Sequence, residues 1–463
     1  MNLKKIYPYS LLLLAFFSSL SAENPAIENS SELTEEIKSL IISEKTVPNA
    51  EVIELTLSNG MIICLKPTNY EEDEILVRLS ANGGYSLFNE IQRASAELAP
   101  QVFLESGFAD LTPDKLSVLL YQTSVDFSVN INASNRSLEA ICPSDGLETA
   151  LKLMNLSFTK RKFNETAYSS VIERAKESVR KRNLDFDSTF QEAYMATNTK
   201  NFMALRHLSA SDIMRADFAT SRRFFDYAFS NPDDFVCVIV GDFKEDEIRP
   251  LLEKYLGSIP AGEPKNTNLN QVSVSFPKGV ISKQIPNQRF GESLVRLTFP
   301  IQVEITEKNI FAVELTCQLI EEKLREKIKS QFNTTHGVDV AYEFPLYPSL
   351  ELSWICIQFR AEPKAIDSIN KLVLTELKNL QNIGPSQSDL ENAKIQQKQS
   401  DEYWLRQNDF WLASLSNYYL VGWDPKHVVQ NAKKEKKLSI EIVNEILKNY
   451  ISLTNYTTIW STP

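Results

Sequence analysis

Residues 235–262 read FVCVIVGDFKEDEIRPLLEKYLGSIPAG, and their reading decides the fold. Phe235–Val240 is an unbroken apolar run, the length of one strand and apolar on both of its faces. Gly241-Asp242 stop it. Glu245 to Leu256 then reads as a helix, and Gly257-Ser-Ile-Pro-Ala-Gly262 closes the unit. A strand buried on both sides needs neighbours in a sheet and a layer on each face, so the remaining elements must come from elsewhere in the chain.

Upstream, VIELTLSNGMIICLKP (52–67) carries alternation at Ile53, Leu55 and Leu57, then Asn59-Gly60, then a second apolar run, the pattern of a hairpin. EILVRLSANGG (74–84) is a strand stopped by Gly83-Gly84. A helix is expected from about Asn89 to Glu105, strands at Ser124–Ile131 and Leu138–Cys142, and a helix capped by Asp145 and running through Leu156. Further helices are expected over Asn164–Lys181 and Asp212–Phe229.

Downstream, residues 263–285 have the Pro, Asn, Ser, Lys and Gly content of a linker. A second series follows: the strand SLVRLTFP (293–300), a long helix from about Glu307 to Gln331, strands at Val338–Phe344 and Leu350–Phe359, helices at Lys364–Gln381, Ser388–Leu420 and Ser439–Tyr450, and the last strand TTIWS. The two series run in the same order. Lys176 and Lys394, 218 residues apart, occupy matching places; LSASDI and LSIEIV open equivalent late helices; NPDDFVCVIV and TNYTTIW are equivalent last strands. The expected class is α+β, two duplicated half-units, each an antiparallel or mixed sheet packed by helices. The expected boundaries are 49–262 for the first half-unit, 263–285 for the linker and 286–463 for the second.

The N-terminus, MNLKKIYPYSLLLLAFFSSLSAE, has a basic Lys4-Lys5, a short apolar core from Leu11 to Phe17 and small residues at Ser19, Ser21 and Ala22. This is the layout of a secretory signal peptide over 1–22, and the apolar core is shorter than the roughly 20 residues that span a bilayer. Residues 23–48 read as a polar, acidic tether with one short amphipathic helix (Leu33 to Ile42). The expectation is an exported, periplasmic or secreted protein without stable membrane insertion. Asn-x-Ser/Thr triplets such as those at Asn132 and Asn164 matter only in a glycosylating pathway.

Composition excludes several functions. Of 463 residues, 43% are apolar and 24% charged, the balance of a globular chain, and the formal charge of −11 lacks the basic footprint of a nucleic-acid binder. Four of the five cysteines (Cys64, Cys142, Cys237, Cys317, Cys356) lie inside apolar runs, so buried thiols are expected rather than a disulfide framework. There is no CxxC, GxSxG or phosphate-binding glycine loop. The three histidines, His207, His336 and His427, are 129 and 91 residues apart, so no two can share a helix face as zinc ligands do. His207 and His427 read as cap or surface residues. The aromatic run DEYWLRQNDFWLASLSNYYLVGW (401–423) reads first as helix core, and otherwise as a chamber wall or subunit contact.

Taken together, the hairpin and Gly-Gly strand at 52–84, the 235–262 stretch, SFPKGVISKQIPNQRFGESLVRLTF (275–299), ELTCQLIEEKLREKIKS (314–330) and ELSWICIQFRAEPKAIDSINKL (351–372) resemble the insulinase/pitrilysin family of zinc peptidases, most of all the carboxyl-terminal portion of its long exported bacterial members. The resemblance covers about residues 50–463. It implies a mitochondrial-processing-peptidase-like metallohydrolase fold, in which two half-units make one bowl and two bowls enclose a peptide-degrading chamber. Active members carry an inverted zinc motif, HxxEH, on their first long helix, with a glutamate on a later one.

This chain departs from that pattern. Its matching helix, NEIQRASAELAPQVFLESG (89–107), has no histidine, and the motif's place, Ala94 to Gln101, contains Pro100. Glu173 and Glu177 lie where the later glutamate would be and read as solvated surface charges. The resemblance places a second, substrate-holding pair, an arginine and a tyrosine seven residues apart, at Lys329 and His336. Lysine there keeps the charge and loses the bidentate fork; histidine still donates a hydrogen bond. Neither a catalytic residue nor a metal ligand is expected, and zinc is expected only in a partner chain. The reading that follows is a non-catalytic subunit that pairs with an HxxEH-bearing chain and forms the substrate-holding wall of the chamber. The alternative is a stand-alone exported peptide-binding protein or homodimer. An active zinc peptidase with unusual ligands is the third and weakest reading.

Overall fold

The computed structural model describes residues 40–462 except 88–89, 203–204, 264–273, 287–290, 333–336, 346–349 and 432–438. The expected signal peptide, most of the tether and His336 therefore lie outside the described residues. In chain order the first half holds β1 (Ile41–Val47), β2 (Val52–Leu57), β3 (Ile62–Pro67), β4 (Ile75–Asn82), α1 (Arg93–Ser106), α2 (Pro113–Gln122), β5 (Asp126–Ile131), β6 (Asn135–Cys142), α3 (Leu147–Thr159), α4 (Glu165–Arg182), α5 (Phe186–Asn198), α6 (Ala210–Met214), α7 (Phe218–Ala228), β7 (Val236–Gly241) and α8 (Glu245–Leu252). The second holds β8 (Val280–Pro286), β9 (Ser293–Pro300), α9 (Glu307–Phe332), β10 (Val338–Glu343), β11 (Trp354–Ala361), α10 (Ile366–Ile383), α11 (Gln387–Trp404), α12 (Asn408–Val421), α13 (His427–Asn431), α14 (Ile440–Asn449) and β12 (Tyr456–Thr462).

Two sheets result, ordered β1-β2-β3-β7-β4-β6-β5 and β10-β11-β9-β12-β8. The duplication is visible in the pairing. β3 runs parallel to β7, and β7-β4-β6-β5 continue antiparallel. β8 runs parallel to β12, and β12-β9-β11-β10 continue antiparallel in the same way. β4 opens at Ile75 and β9 at Ser293, 218 residues on, and both contain Leu-Val-Arg-Leu (76–79 and 294–297). β6 and β11 bury the same positions along their eight residues. The α+β class with two duplicated, helix-packed sheets thus holds. Helix register drifts, however. The N-caps of α4 and α11, Asn164 and Ser386, are 222 residues apart, which sets Lys176 against Lys398, not Lys394.

Central strand β7 is buried from Cys237 onward, as its sequence demands. Gly241 ends it at φ +141°, where a Cβ would stand 2.1 Å from the Glu74 carbonyl oxygen of β4. Asn59 in the β2–β3 turn ties that hairpin to the end of the unit, its amide donating to the carbonyls of Leu256 (2.8 Å) and Ile259 (3.0 Å). Arg136 on β6 is buried and donates to the carbonyls of Ala228 (2.6 Å) and Gly83 (3.0 Å) and to Asp234 (2.7 Å), which satisfies a charge that burial would otherwise penalise.

Each sheet has one face on its own half's helices. Leu55, Ile63, Val77, Leu138 and Ile239 meet Phe103, Leu151 and Phe225 in the first half. Val295, Leu297 and Ile357 meet Leu324, Val373 and Val443 in the second. The opposite faces are covered by exchange. Trp411, Leu412 and Leu415 of α12 pack on Val52, Cys64, Leu76 and Val238 of the first sheet. Phe190 and Tyr194 of α5 pack on Ile285, Leu294 and Ile459 of the second. Polar bonds fix both seats: Thr68 Oγ1 donates to Asn408 (2.6 Å), Asn408 to Glu74 (2.8 Å) and Asn82 to the Leu420 carbonyl (2.7 Å), while Thr457 donates to Asn198 (2.7 Å) and Tyr194 bonds Thr298 (3.0 Å). Lys66, buried, lies 4.6 Å from the Trp411 ring centroid and 3.1 Å from Glu51.

Several sequence expectations change. Residues 41–47, read as tether, form β1, because pairing with β2 gives Thr46 and Val47 a strand partner. The end of the segment read as linker forms β8, an edge strand with a largely exposed side-chain pattern that gives little apolar signal. The helix expected over Asp212–Phe229 is two, separated where Asp217 caps α7. The one expected over Ser388–Leu420 breaks at 405–407, where α12 turns onto the other half's sheet. Asp145 lies in a 3₁₀ turn and does not cap α3. Helices α2 and α5 have no counterpart in the sequence reading. All five cysteines are free and buried, as expected.

Leu415 is fully buried in the α12 seat. Leu415→Ala should lower stability by about 2–5 kcal/mol. Because α12 belongs to one half and its seat to the other, urea unfolding followed by far-UV dichroism should show the whole transition moving as one, not a partial loss confined to the second half.

Candidate functional site

Helix α1 occupies the place of the zinc-motif helix, and its inward face is apolar. Ala94, Leu98 and Val102 are buried against Val171, Ile172 and Val179 of α4 and Leu208 and Ile213 beyond it. Pro100 is buried within the helix, where it removes one backbone donor. These side chains offer no nitrogen, sulfur or carboxylate oxygen to a metal, so the residues present do not fit zinc. Among the described residues, no group of three or more His, Cys, Asp or Glu could hold a metal ion.

The one acid on this stretch of α1, Glu97, is engaged by Arg93, whose Nε is 3.1 Å from Oε2. Burial raises the Glu97 carboxyl above its ordinary range, with Arg93 opposing the shift. Around it sits a layer of ion pairs: Arg93 also donates to the Arg206 carbonyl, Arg182 Nε to Glu192 (2.7 Å), and Arg206 Nη2 to Asp212 (3.0 Å). The Asp212 carboxyl is held well below the usual range by Arg206 and Ser209, which outweigh its burial. His207 lies in this layer, half-buried. Burial, with the Arg182 charge adding to it, lowers its pKa. The arrangement neutralises charge and locks α1, α4 and α6 together.

Glu173 and Glu177 face solvent on α4. Each pairs three residues along its own helix, Glu173 with Lys176 and Glu177 with Arg180, both at 2.7 Å. His427 opens the short α13, its amide bonded to the Asp424 carbonyl at 3.0 Å. His207 and His427 thus stand in separate elements of the fold.

Lys329 is exposed in the last turn of α9, where a cation complements the helix dipole. The segment between it and β10 holds His336, which is outside the described residues. Gly337 follows in open space. One feature of α9 was missed from sequence: Glu314, in the buried run around Val313 and Leu315, lies against Gln397 and Asp401 of α11. The signal was a carboxylate inside the otherwise apolar ELTCQL.

If Glu173 and Glu177 are surface charges, Glu173→Gln and Glu177→Gln should each change stability by less than about 0.5 kcal/mol. Urea midpoints at low ionic strength test this; a large loss would give these residues a buried role.

Comparison with known proteins agrees with this geometry. Residues 221–397 match the family model described as Peptidase M16 inactive domain. A zinc protease PQQL-like protein of Arabidopsis thaliana is 25% identical over 408 residues, 83% of this chain and 40% of that protein. The crystal structure of the periplasmic protease PqqL from Escherichia coli superposes with a TM-score of 0.77 at 20% identity, covering 96% of this chain and 49% of that one. The peptidase M16 inactive domain from Pseudomonas fluorescens superposes with a TM-score of 0.72 at 15% identity, covering 89% of this chain and 98% of that one. The chain spans less than half the length of the curated relatives it matches. With duplicated sheets, exchanged helices and an apolar face where the zinc motif would stand, the chain belongs to the insulinase (M16) peptidase family as a member lacking its catalytic features.

Proposed function

We propose that this protein is a non-catalytic subunit that pairs with an HxxEH-bearing chain of the same family and supplies the opposite, substrate-holding wall of a peptide-degrading chamber. The observation that carries the reading is the α1–α4 contact, where Ala94, Leu98 and Val102 close against Val171 and Ile172. The inactive-domain match and the greater length of the relatives support it, since a bowl of this size corresponds to under half of each. The zinc expected for the pair would reside in the partner chain. Export is part of the proposal: it rests on the signal-like N-terminus, and no described helix is long and apolar enough to cross a membrane.

In this reading Lys329 and His336 hold peptide. β10 is an edge strand of the second sheet and begins at Val338, just past the segment that carries His336. A peptide added to that edge makes main-chain hydrogen bonds along β10 and passes beside the Lys329 ammonium, which attracts its carbonyl oxygens or its C-terminus.

The experiment is affinity capture of the tagged chain from its native host, followed by metal analysis and peptidase assay of what is captured. An HxxEH-bearing chain carrying zinc, with peptidase activity, is the expected result. Peptide retained by the chain alone, with no partner, would replace this proposal by the stand-alone binding protein. In the reconstituted pair, Lys329→Ala with His336→Ala should reduce peptide turnover about tenfold or more, on the scale of one lost charge-assisted contact, and leave zinc content unchanged. Unaltered kinetics would remove these two residues from the site.

A further inference from the structure

The seam between α9 and α11 is built unlike the other helix contacts of the second half. The residues that α11 buries are Leu390, Ala393 and Gln397, so little apolar area holds it. Hydrogen bonds and one ion pair do most of the joining: Lys323 meets Asp389 at 2.8 Å, Gln318 donates to Gln396 at 3.0 Å, and Gln396 donates to Glu322 at 2.7 Å. At the other end, the Gln397 amide donates to two carboxylates at once, Glu314 of α9 at 3.3 Å and Asp401 of α11 at 3.0 Å.

We propose that Glu314, Gln397 and Asp401 form a pH-sensitive latch, closed when one carboxyl holds a proton and loosened when both are ionised, that governs how firmly α11 and the turn at 405–407 sit on α9. One amide cannot neutralise two carboxylates, and like charges brought together in a poorly solvated seam favour keeping a proton. The other groups facing the pair do not supply a cation. β10 contributes Tyr342 and α9 contributes Cys317, both of which feel the carboxylates as neutral acids. α10 and α14, which also pack on α9, present Val373, Leu377, Val443, Ile446 and Leu447. The α11 lysines are engaged on their own helix, Lys394 with Glu391 and Lys398 with Glu402. Burial first, and the Asp401 charge second, push the Glu314 carboxyl up to about 7, with Gln397 opposing.

The direction follows from linkage. With the seam closed, Glu314 keeps its proton up to about pH 7; with the seam open, it releases it near its ordinary 4.5. Opening is therefore favoured as pH rises from about 4.5 to 7 and levels off above. α11 leads through three residues into α12, the helix seated on the first half's sheet, so the latch adjusts the root of that clamp.

Hydrogen–deuterium exchange of the full chain tests this, with rates corrected for the intrinsic pH dependence of exchange. Between pH 6 and 8, protection over 387–407 should fall about tenfold relative to β7, and Glu314→Gln should abolish the fall. Asp401→Asn should move the fall to higher pH, because with Asp401 uncharged the remaining carboxyl would then ionise unopposed, only if desolvation dominates; a move to lower pH is the result expected from charge repulsion, and either displacement supports coupling of the pair. Equal protection of 387–407 at both pH values in the native sequence, or the same fall persisting in Glu314→Gln, would overturn the latch.

Discussion

Covering both faces of both sheets is the constraint on which this molecule depends. A strand such as β7, apolar on each side, cannot leave either face to water. Each half has helices enough for one face, and borrows one helix from the other half for the second. α12 and α5 are the borrowed helices, and their seats are reciprocal: Trp411 and Leu415 on one sheet, Phe190 and Tyr194 on the other. The result is that neither half has a complete core of its own. Duplication here is a mutual dependence between two copies, and it explains why a chain with two sheets behaves as one body from Leu40 onward.

The same economy of faces accounts for the site. In a zinc-bearing member the α1–α4 contact would have to remain polar to hold a metal. Here it is filled with Ala94, Leu98, Val102, Val171 and Ile172, and the nearby charges Arg93, Glu97, Arg182, Arg206 and Asp212 are spent on one another. What in a relative is a place for chemistry has become packing that strengthens the first half. Function then has to lie in surfaces, the open end of α9 and the edge of the second sheet, and in a second chain.

Much of this was legible in the sequence. The order of elements, the Asn59-Gly60 hairpin and the lack of any histidine pair could be read directly, and the repeated Leu-Val-Arg-Leu of β4 and β9 marks the register of the duplication. What escaped were the elements whose reason is distant. α5 has a stripe at Phe186, Phe190 and Tyr194, yet the surface it matches is formed by residues a hundred positions later. The break at 405–407 has no glycine or proline to announce it; it exists because α12 must turn toward the other half. β1 and β8 are edge strands whose partners, not their own composition, make them strands. Glu314 looked like one surface acid among 60, and only the packing of α11 shows that it is not.

Cys64 and Cys237 lie on neighbouring strands, β3 and β7, but face opposite sides of the sheet, one toward α12 and the other toward the first half's own helices. Burial pushes the Cys64 and Cys142 thiols up to about 12, and Cys237 and Cys356 also rise. With the thiolate suppressed and its nearest neighbour turned away, the folded chain is chemically silent toward oxidants. Oxidative damage would have to catch the chain before its two halves close on each other, so the speed of that closure, more than any property of the finished molecule, sets how well it tolerates an oxidising surrounding.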